Sequence, residues 1–375
     1  MGNRICPVCG GNHSEVIRKI EMRVPENYRL PDSYNVVVCD NCGFVYADTA
    51  ASMEDLDWYY SNFNFYGDDS KDDNSLRFEM VEEFLLKYIT KESVMLEIGA
   101  GNGRFEVALK RHGYSNITGA DPSEESVRRL RETGIEAYVA SIYSEVAPEE
   151  IEKYDCIFLF EVAEHLLIPG KGMDNVAKML KKDGVFMISV PDYSEIGDDM
   201  SSIPNHFNLE HINYFSAKSL DYLMALHGME RIAQKHDAID LIQVYRKADQ
   251  TVLPEKDTAT KNAVCSYFRR QEERAKRIKS VIETLKNEKT ELVIWGTGSY
   301  VMSLLATTNL SQCNIKGFVD NNKIKQGMEI YGYTVYSPEY LKDQHCTVLI
   351  CSMLYGERIR EQLEEMHTEN EVVLL

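Results

Sequence analysis

A short apolar strand running straight into three alternate glycines limits this chain more than any other stretch. Val94 to Ile98 are apolar except for Glu97; Gly99, Gly101 and Gly103 follow, and Phe105-Glu-Val-Ala-Leu-Lys opens a helix. Strand, glycine turn and helix let a backbone approach a nucleotide-like ligand, because glycine tolerates left-handed torsions and carries no Cβ. A second strand, Asn116-Ile-Thr-Gly-Ala-Asp121, ends on an acid about twenty residues on, where a carboxylate can accept both hydroxyls of a ribose. The spacing alone also suits dinucleotide sites; the placing of Glu97 at the strand end tilts the reading away from them.

Leu96-Glu-Ile-Gly-Ala-Gly-Asn-Gly103 fits without a gap the E/D-x-G-x-G-x-G motif of the class I S-adenosylmethionine (SAM) methyltransferases, which this stretch resembles. The resemblance implies SAM lying across the turn, with Asp121 on its ribose and Glu97 ordering the loop or holding the methionine amino group. Tyr154-Asp-Cys-Ile-Phe-Leu-Phe160 reads as a central strand, and the residues after it stand where such enzymes carry their fourth motif. Phe160 and Glu161 therefore join Glu97, Gly99, Gly101, Gly103 and Asp121 as expected cofactor-binding residues. Alternating strands and helices over 76–245 predict an α/β doubly wound sheet with its ligand site at the carboxyl ends of the strands.

At 375 residues the chain is too long for one core and suggests two or three domains. A net charge of -19 repels phosphate backbones, which disfavours nucleic acid as a partner. No apolar run approaches the roughly eighteen residues of a membrane span, so no membrane partner is expected. Nine cysteines without a signal-peptide pattern read as reduced thiols and metal ligands in a cytoplasmic protein. Four of them, in Cys6-Pro-Val-Cys9-Gly and Cys39-Asp-Asn-Cys42-Gly, form two C-x-x-C knuckles that can present four thiolates to one structural Zn²⁺. Residues 1–75 thus read as a zinc-binding module followed by an aromatic strap containing Trp58, Tyr59, Tyr60 and Tyr66. The strap either packs between domains or forms a lid with a tyrosine facing the pocket, and Tyr66, beside Gly67, is then the tyrosine expected to act.

Two further segments carry chemistry. Glu161-Val-Ala-Glu164-His165 would place Glu161, Glu164 and His165 on one face if helical. Over these few residues it resembles the small-RNA 2′-O-methyltransferases, in which such a cluster holds a divalent metal; lining of the sulfonium and substrate pocket is the alternative. Glu210-His211-Ile-Asn-Tyr214-Phe-Ser216 is dense in polar and aromatic residues before a helix that Ser216 would cap. It resembles the E-H-x-x-Y-F-S segment of deoxysugar C-methyltransferases acting on nucleotide-linked 4-keto-sugars. That resemblance implies His211 as base, Glu210 orienting it, and Tyr66 or Tyr214 as donor to an enolate oxygen.

Residues 246–375 read as a linker with a charged helix over Asn262–Asn287, then a Rossmann-like α/β domain with its own glycine turn, Gly296-Thr-Gly298. Cysteine knuckles, SAM domain and a terminal glycine-turn unit occur in this order in the sugar C-methyltransferase family, so the resemblance covers nearly the whole chain. This chain departs from it at Asn208, where the family has tyrosine, at Glu161–His165, and at His236-Asp-Ala-Ile-Asp-Leu, where the family has His-Gly-Gly-Ser-x-Arg. The departures lie on the acceptor side. The expected function is SAM-dependent C-methylation of a nucleotide-linked keto-sugar or related small keto compound. The alternatives are O- or N-methylation, including a metal-assisted form, and a non-catalytic SAM-binding scaffold.

Overall fold

The structure is a computed structural model and describes residues 4–26, 28–62, 82–197, 203–237 and 240–375. Tyr66 and residues 76–81, the start of the segment expected to form the methyltransferase domain, lie outside the described residues.

The chain opens with an antiparallel meander of β1 (Ser14–Glu21), β2 (Ser33–Cys39) and β3 (Val45–Asp48). The cysteine knuckles flank it. Helix α1 (Met53–Asn62) follows.

The central sheet has seven strands. They are β4 (Met95–Ile98), β5 (Ile117–Asp121), β6 (Glu136–Val139), β7 (Tyr154–Phe160), β8 (Leu180–Pro191), β10 (Met229–Asp237) and β11 (Asp240–Lys247). Their order is β10-β11-β8-β7-β4-β5-β6, parallel except where β11 runs against both its neighbours. Helices α2 (Arg104–Arg111), α3 (Glu124–Glu132) and α4 (Pro169–Met179) connect the parallel strands. A parallel strand covered on both faces is apolar along most of its length, which is why Cys156–Phe160 of β7 are all apolar and the second half of β8 is interrupted only by Ser189. Strand order reverses between β4 and β7, and that reversal places a crevice at their carboxyl ends. This is the class I methyltransferase fold.

Strand β9 is only Asn213–Tyr214, yet it pairs with β3 and completes the N-terminal sheet from within the loop before α5 (Ala217–Leu226). Ser216 caps α5 as the sequence suggested, in a reciprocal capping box with Ser219. One apolar core holds Val36, Val38 and Val45 of the meander, Leu56 of α1, Phe207 and Tyr214, together with Val264 and Phe268 of the long helix α6 (Ala259–Asn287).

The C-terminal unit has six strands: β12 (Glu291–Trp295), β13 (Asn314–Val319), β14 (Glu329–Ile330), β15 (Tyr333–Tyr336), β16 (Thr347–Ile350) and β17 (Glu371–Leu374). Helices α7 (Ser299–Thr307) and α8 (Gly356–Glu365) pack on it. It meets the meander where the Arg23 amide donates to the Met302 carbonyl at 2.9 Å.

Tyr214 is not among the residues that line the cavity after β4. It is fully buried in β9 and its hydroxyl lies 3.1 Å from that of Tyr34, so strand pairing and core packing consume the side chain expected to face an enolate. Tyr214→Phe leaves one buried hydroxyl without its partner. It is expected to lower stability by about 1–3 kcal/mol in denaturant titration and leave turnover unchanged.

Candidate functional site

The turn after β4 is built on left-handed glycines. Gly103 sits at φ 75° as the N-cap of α2, and a Cβ there would lie 2.0 Å from Leu130 Cδ1. Gly99 sits at φ 80°, and its Cβ would lie 2.4 Å from Val162 Cγ2. Neither position accepts a side chain without movement. The Gly99 amide donates to the Ala120 carbonyl at 2.7 Å and the Gly101 amide to Asp121 Oδ2 at 2.9 Å. Asp121 Oδ1 accepts from the Ser123 amide at 2.8 Å. A carboxylate has about four lone-pair sites, so Asp121 keeps capacity for ligand hydroxyls.

Above this turn lies a cavity of about 430 Å³. Glu97, Gly99, Gly101, Asp121, Phe160 and Glu161 all line it, so six of the seven expected cofactor residues share one wall. Gly103 stands behind them at the start of α2. Helix α1 lines it as well, through Met53, Leu56, Asp57 and Tyr60, as does His165. Part of the aromatic strap therefore faces the cavity, through Tyr60.

Glu97 has an acidic neighbour that the sequence reading missed. Glu106 of α2 is completely buried, and its Oε1 lies under Gly119 of β5. Burial pushes the Glu106 carboxyl up to about 7. Burial, then the charge and hydrogen bond of Glu106, raise Glu97 well above the usual carboxylate range. Two carboxyls so placed hold a proton between them at neutral pH. The available signal was an acid one helical turn before Leu109, on the buried face of α2.

The segment after β7 is not the helix that would have aligned Glu161, Glu164 and His165. Glu161 takes φ 55°, and only residues 163–165 form a single 3₁₀ turn. Glu161 therefore points elsewhere and accepts from Ser189 Oγ at 2.7 Å. What joins Glu164 and His165 is His211: one carboxylate oxygen and two imidazole nitrogens lie within 4.8 Å of one another. The rings of His165 and His211 meet edge to face at 4.8 Å.

His211 and Glu210 are absent from the cavity wall; His165 is the imidazole in it. Glu210 also does not orient His211 in the expected way. Its carboxylate accepts a short hydrogen bond from Tyr59, and its carbonyl lies 3.1 Å from His165 Nδ1. Asn208, where the resembled family has tyrosine, accepts from the Glu210 and His211 amides at 2.8 and 2.6 Å and fixes the turn that carries them. Burial pushes His165 down to about 4. Burial, with His165 and His206 as neighbouring charges, lowers His211 well below the usual imidazole range. Both rings are neutral near pH 7.

The second donor set is the cysteine cluster. Cys6 and Cys42 sulfurs lie 3.6 Å apart, Cys9 and Cys39 sulfurs 3.5 Å, and all four fall within 4.8 Å. A tetrahedral cation bound by four thiolates at about 2.3 Å separates them by roughly 3.8 Å, so the set fits such an ion.

Residues 75–234 match the family model described as a methyltransferase domain, and residues 288–374 one described as C2185-like, N-terminal. Among curated proteins the chain is similar to the ubiquinone biosynthesis O-methyltransferase of Bradyrhizobium diazoefficiens, 31% identical over 98 residues, covering 25% of this chain and 38% of that protein. It is also similar to the Salmonella paratyphi A protein of the same name, at 30% over 115 residues, covering 28% and 47%. The ribosomal protein L11 methyltransferase of Dictyoglomus turgidum is 28% identical over 112 residues, covering 29% and 36%. The chain spans less than half the length of each of these relatives. Among solved structures, the PH0226 protein of Pyrococcus horikoshii superposes with a TM-score of 0.41 at 22% identity, over 51% of this chain and 98% of that one. Fold, turn and family match agree that residues 75–234 are a class I, SAM-dependent methyltransferase domain.

Glu97 and Glu106 hold protons more tightly in the folded chain than in the unfolded one. Their contribution to stability is therefore present at low pH and lost as pH rises towards and through about 7. Glu106→Gln is neutral throughout, so the ligand-free variant is expected to gain on the wild type by about 1–3 kcal/mol between pH 5 and 8, read by thermal denaturation at each pH.

Proposed function

We propose that this protein is a SAM-dependent methyltransferase acting on a small molecule, and that it C-methylates a nucleotide-linked keto-sugar or a related keto compound. The observation that carries this reading is one cavity lined by the glycine turn, Asp121, His165 and Tyr60, with His211 packed against His165. In this reading Glu97, Gly99, Gly101, Asp121, Phe160 and Glu161 seat the cofactor. SAM, when bound, supplies a methyl already activated by its sulfonium, so the protein's work is alignment and generation of a nucleophile.

For a carbon beside a ketone, His211 takes the α-proton. Its neutral ring is in the form that can accept one, and a positioned base of this kind contributes on the order of 10²–10⁴-fold. Tyr60 of the cavity wall donates to the enolate oxygen, in place of Tyr214. Glu210, Tyr59 and Asn208 keep the His211 loop in place and do not touch the acceptor. The four cysteines hold a structural Zn²⁺ that staples the first fifty residues.

A second reading rests on Glu164, His165 and His211. Two imidazoles and one buried carboxylate are a donor set suited to a divalent metal. A cation there supplies Lewis-acid activation of an acceptor oxygen and favours O-methylation. Glu161 has no part in this set.

The deciding experiment incubates the protein in D₂O with a panel of nucleotide-linked 4-keto-sugars and follows exchange at the α-carbon by NMR. Exchange that His211→Gln abolishes, followed by methylation at that carbon once SAM is added, is the expected result. SAM binding without exchange in any panel member sinks the keto-sugar reading, and dependence of turnover on added Mg²⁺ or Mn²⁺ then selects the metal-assisted one. For the cysteine site, elemental analysis should find about one zinc per chain, and Cys39→Ser should lose it and lower the melting temperature.

A further inference from the structure

Arg4 precedes the first cysteine knuckle by two residues, and its guanidinium is turned into the protein. It sits over the face of Tyr46 at 5.7 Å. Nη1 donates to the carbonyls of Ile212 at 2.8 Å and Ala47 at 3.2 Å. Nη2 donates to the carbonyls of Leu167 at 2.9 Å and Leu166 at 3.2 Å and to Asn213 Oδ1 at 2.8 Å. No carboxylate is among these acceptors. The charge is held by main-chain dipoles, and burial lowers the group only to about 10, so it stays cationic.

The identity of those carbonyls matters. Leu166 and Leu167 directly follow the turn that carries Glu164 and His165, and both line the cavity. Ile212 directly follows Glu210-His211. Asn213 closes the loop by donating to the Ala163 and Leu166 carbonyls at 2.9 and 2.7 Å, and the Ile212 amide donates to the Glu164 carbonyl at 2.8 Å. One planar fork thus binds the two loops that bear His165 and His211 to each other and to β3. A guanidinium can do this and an ammonium cannot, because five donors in a fixed plane meet several acceptors at once.

We propose that Arg4 is a positioning residue of the methyl-transfer site: it sets the separation and ring orientation of His165 and His211 from outside the cavity. The proposal rests on the reading of that cavity as the transfer site. Arg4 touches neither cofactor nor acceptor; it fixes what those histidines can reach.

Arg4→Lys in the full, metal-loaded chain is the test, with Arg4→Gln as the second variant should the first fail to fold. Three quantities are read: the imidazole ¹⁵N and ¹³C resonances of His165 and His211 in acceptor-free protein, the SAM affinity, and kcat with whichever acceptor the wild type uses. The expected result is shifted or broadened His165 and His211 resonances, SAM affinity within about twofold of wild type, and kcat lower by on the order of 10²-fold. Unchanged histidine resonances in a folded variant overturn the proposal, as does a loss confined to SAM affinity. A wild type that methylates no acceptor removes the site reading instead, and the resonances still report on the latch.

Discussion

A strand of two residues carries much of this architecture. Asn213 and Tyr214 pair with β3, and through that pairing the loop bearing Glu210 and His211 becomes part of the N-terminal sheet instead of a free connection in the methyltransferase domain. Two residues of ladder are weak in isolation, so the pairing depends on what surrounds it. Tyr214 is clamped among Tyr193, Phe207 and Tyr34, and Asn213 is tied to the 3₁₀ turn after β7. The N-terminal meander, the strap helix α1 and the loop bearing His211 share a single apolar core as a result.

The two sides of the cavity are governed by different physics. On the cofactor side, backbone geometry dominates: left-handed glycines, amides turned onto Asp121, and a buried carboxyl pair that retains a proton. On the acceptor side, burial dominates. It keeps His165 and His211 neutral and leaves their placement to hydrogen bonds made by carbonyls and side chains at some distance from the ligand.

The cofactor side was legible because its signals are local. Glycine spacing, the acid ending β5, the cysteine pairs and the Ser216 cap are each encoded within a few residues: Gly99, Gly101 and Asp121 line one cavity, the four cysteines cluster, and Ser216 caps α5. The acceptor side was read less well. The partners of Glu210 are Tyr59, 151 positions away, and the His165 ring, 45 positions away, neither of which a local pattern can name. Helical periodicity failed at Glu161 because the chain leaves β7 through a left-handed residue and forms only a single 3₁₀ turn before Pro169 begins α4. Asn208 was noticed as a departure, but its use as the acceptor that shapes the turn follows only from geometry. The domain boundary at residue 75 hid the pairing of β3 with β9.

Asp257 brings in the order in which the chain is made. Its amide donates to the Cys42 carbonyl at 2.9 Å, and its carboxylate accepts from Ser216 Oγ at 2.6 Å and from Thr260 Oγ1 at 2.7 Å at the start of α6. The backbone passes so close that a Cβ on Gly43 would strike the Asp257 carbonyl at 1.9 Å. During synthesis the meander leaves the ribosome before β9 and Asp257, which follow well over a hundred residues later. Until then β3 is an unpaired edge, open to any other strand that reaches it. Vectorial synthesis therefore sets a waiting period for the first fifty residues, and early metal capture by the cysteines would shorten their exposure without completing their fold.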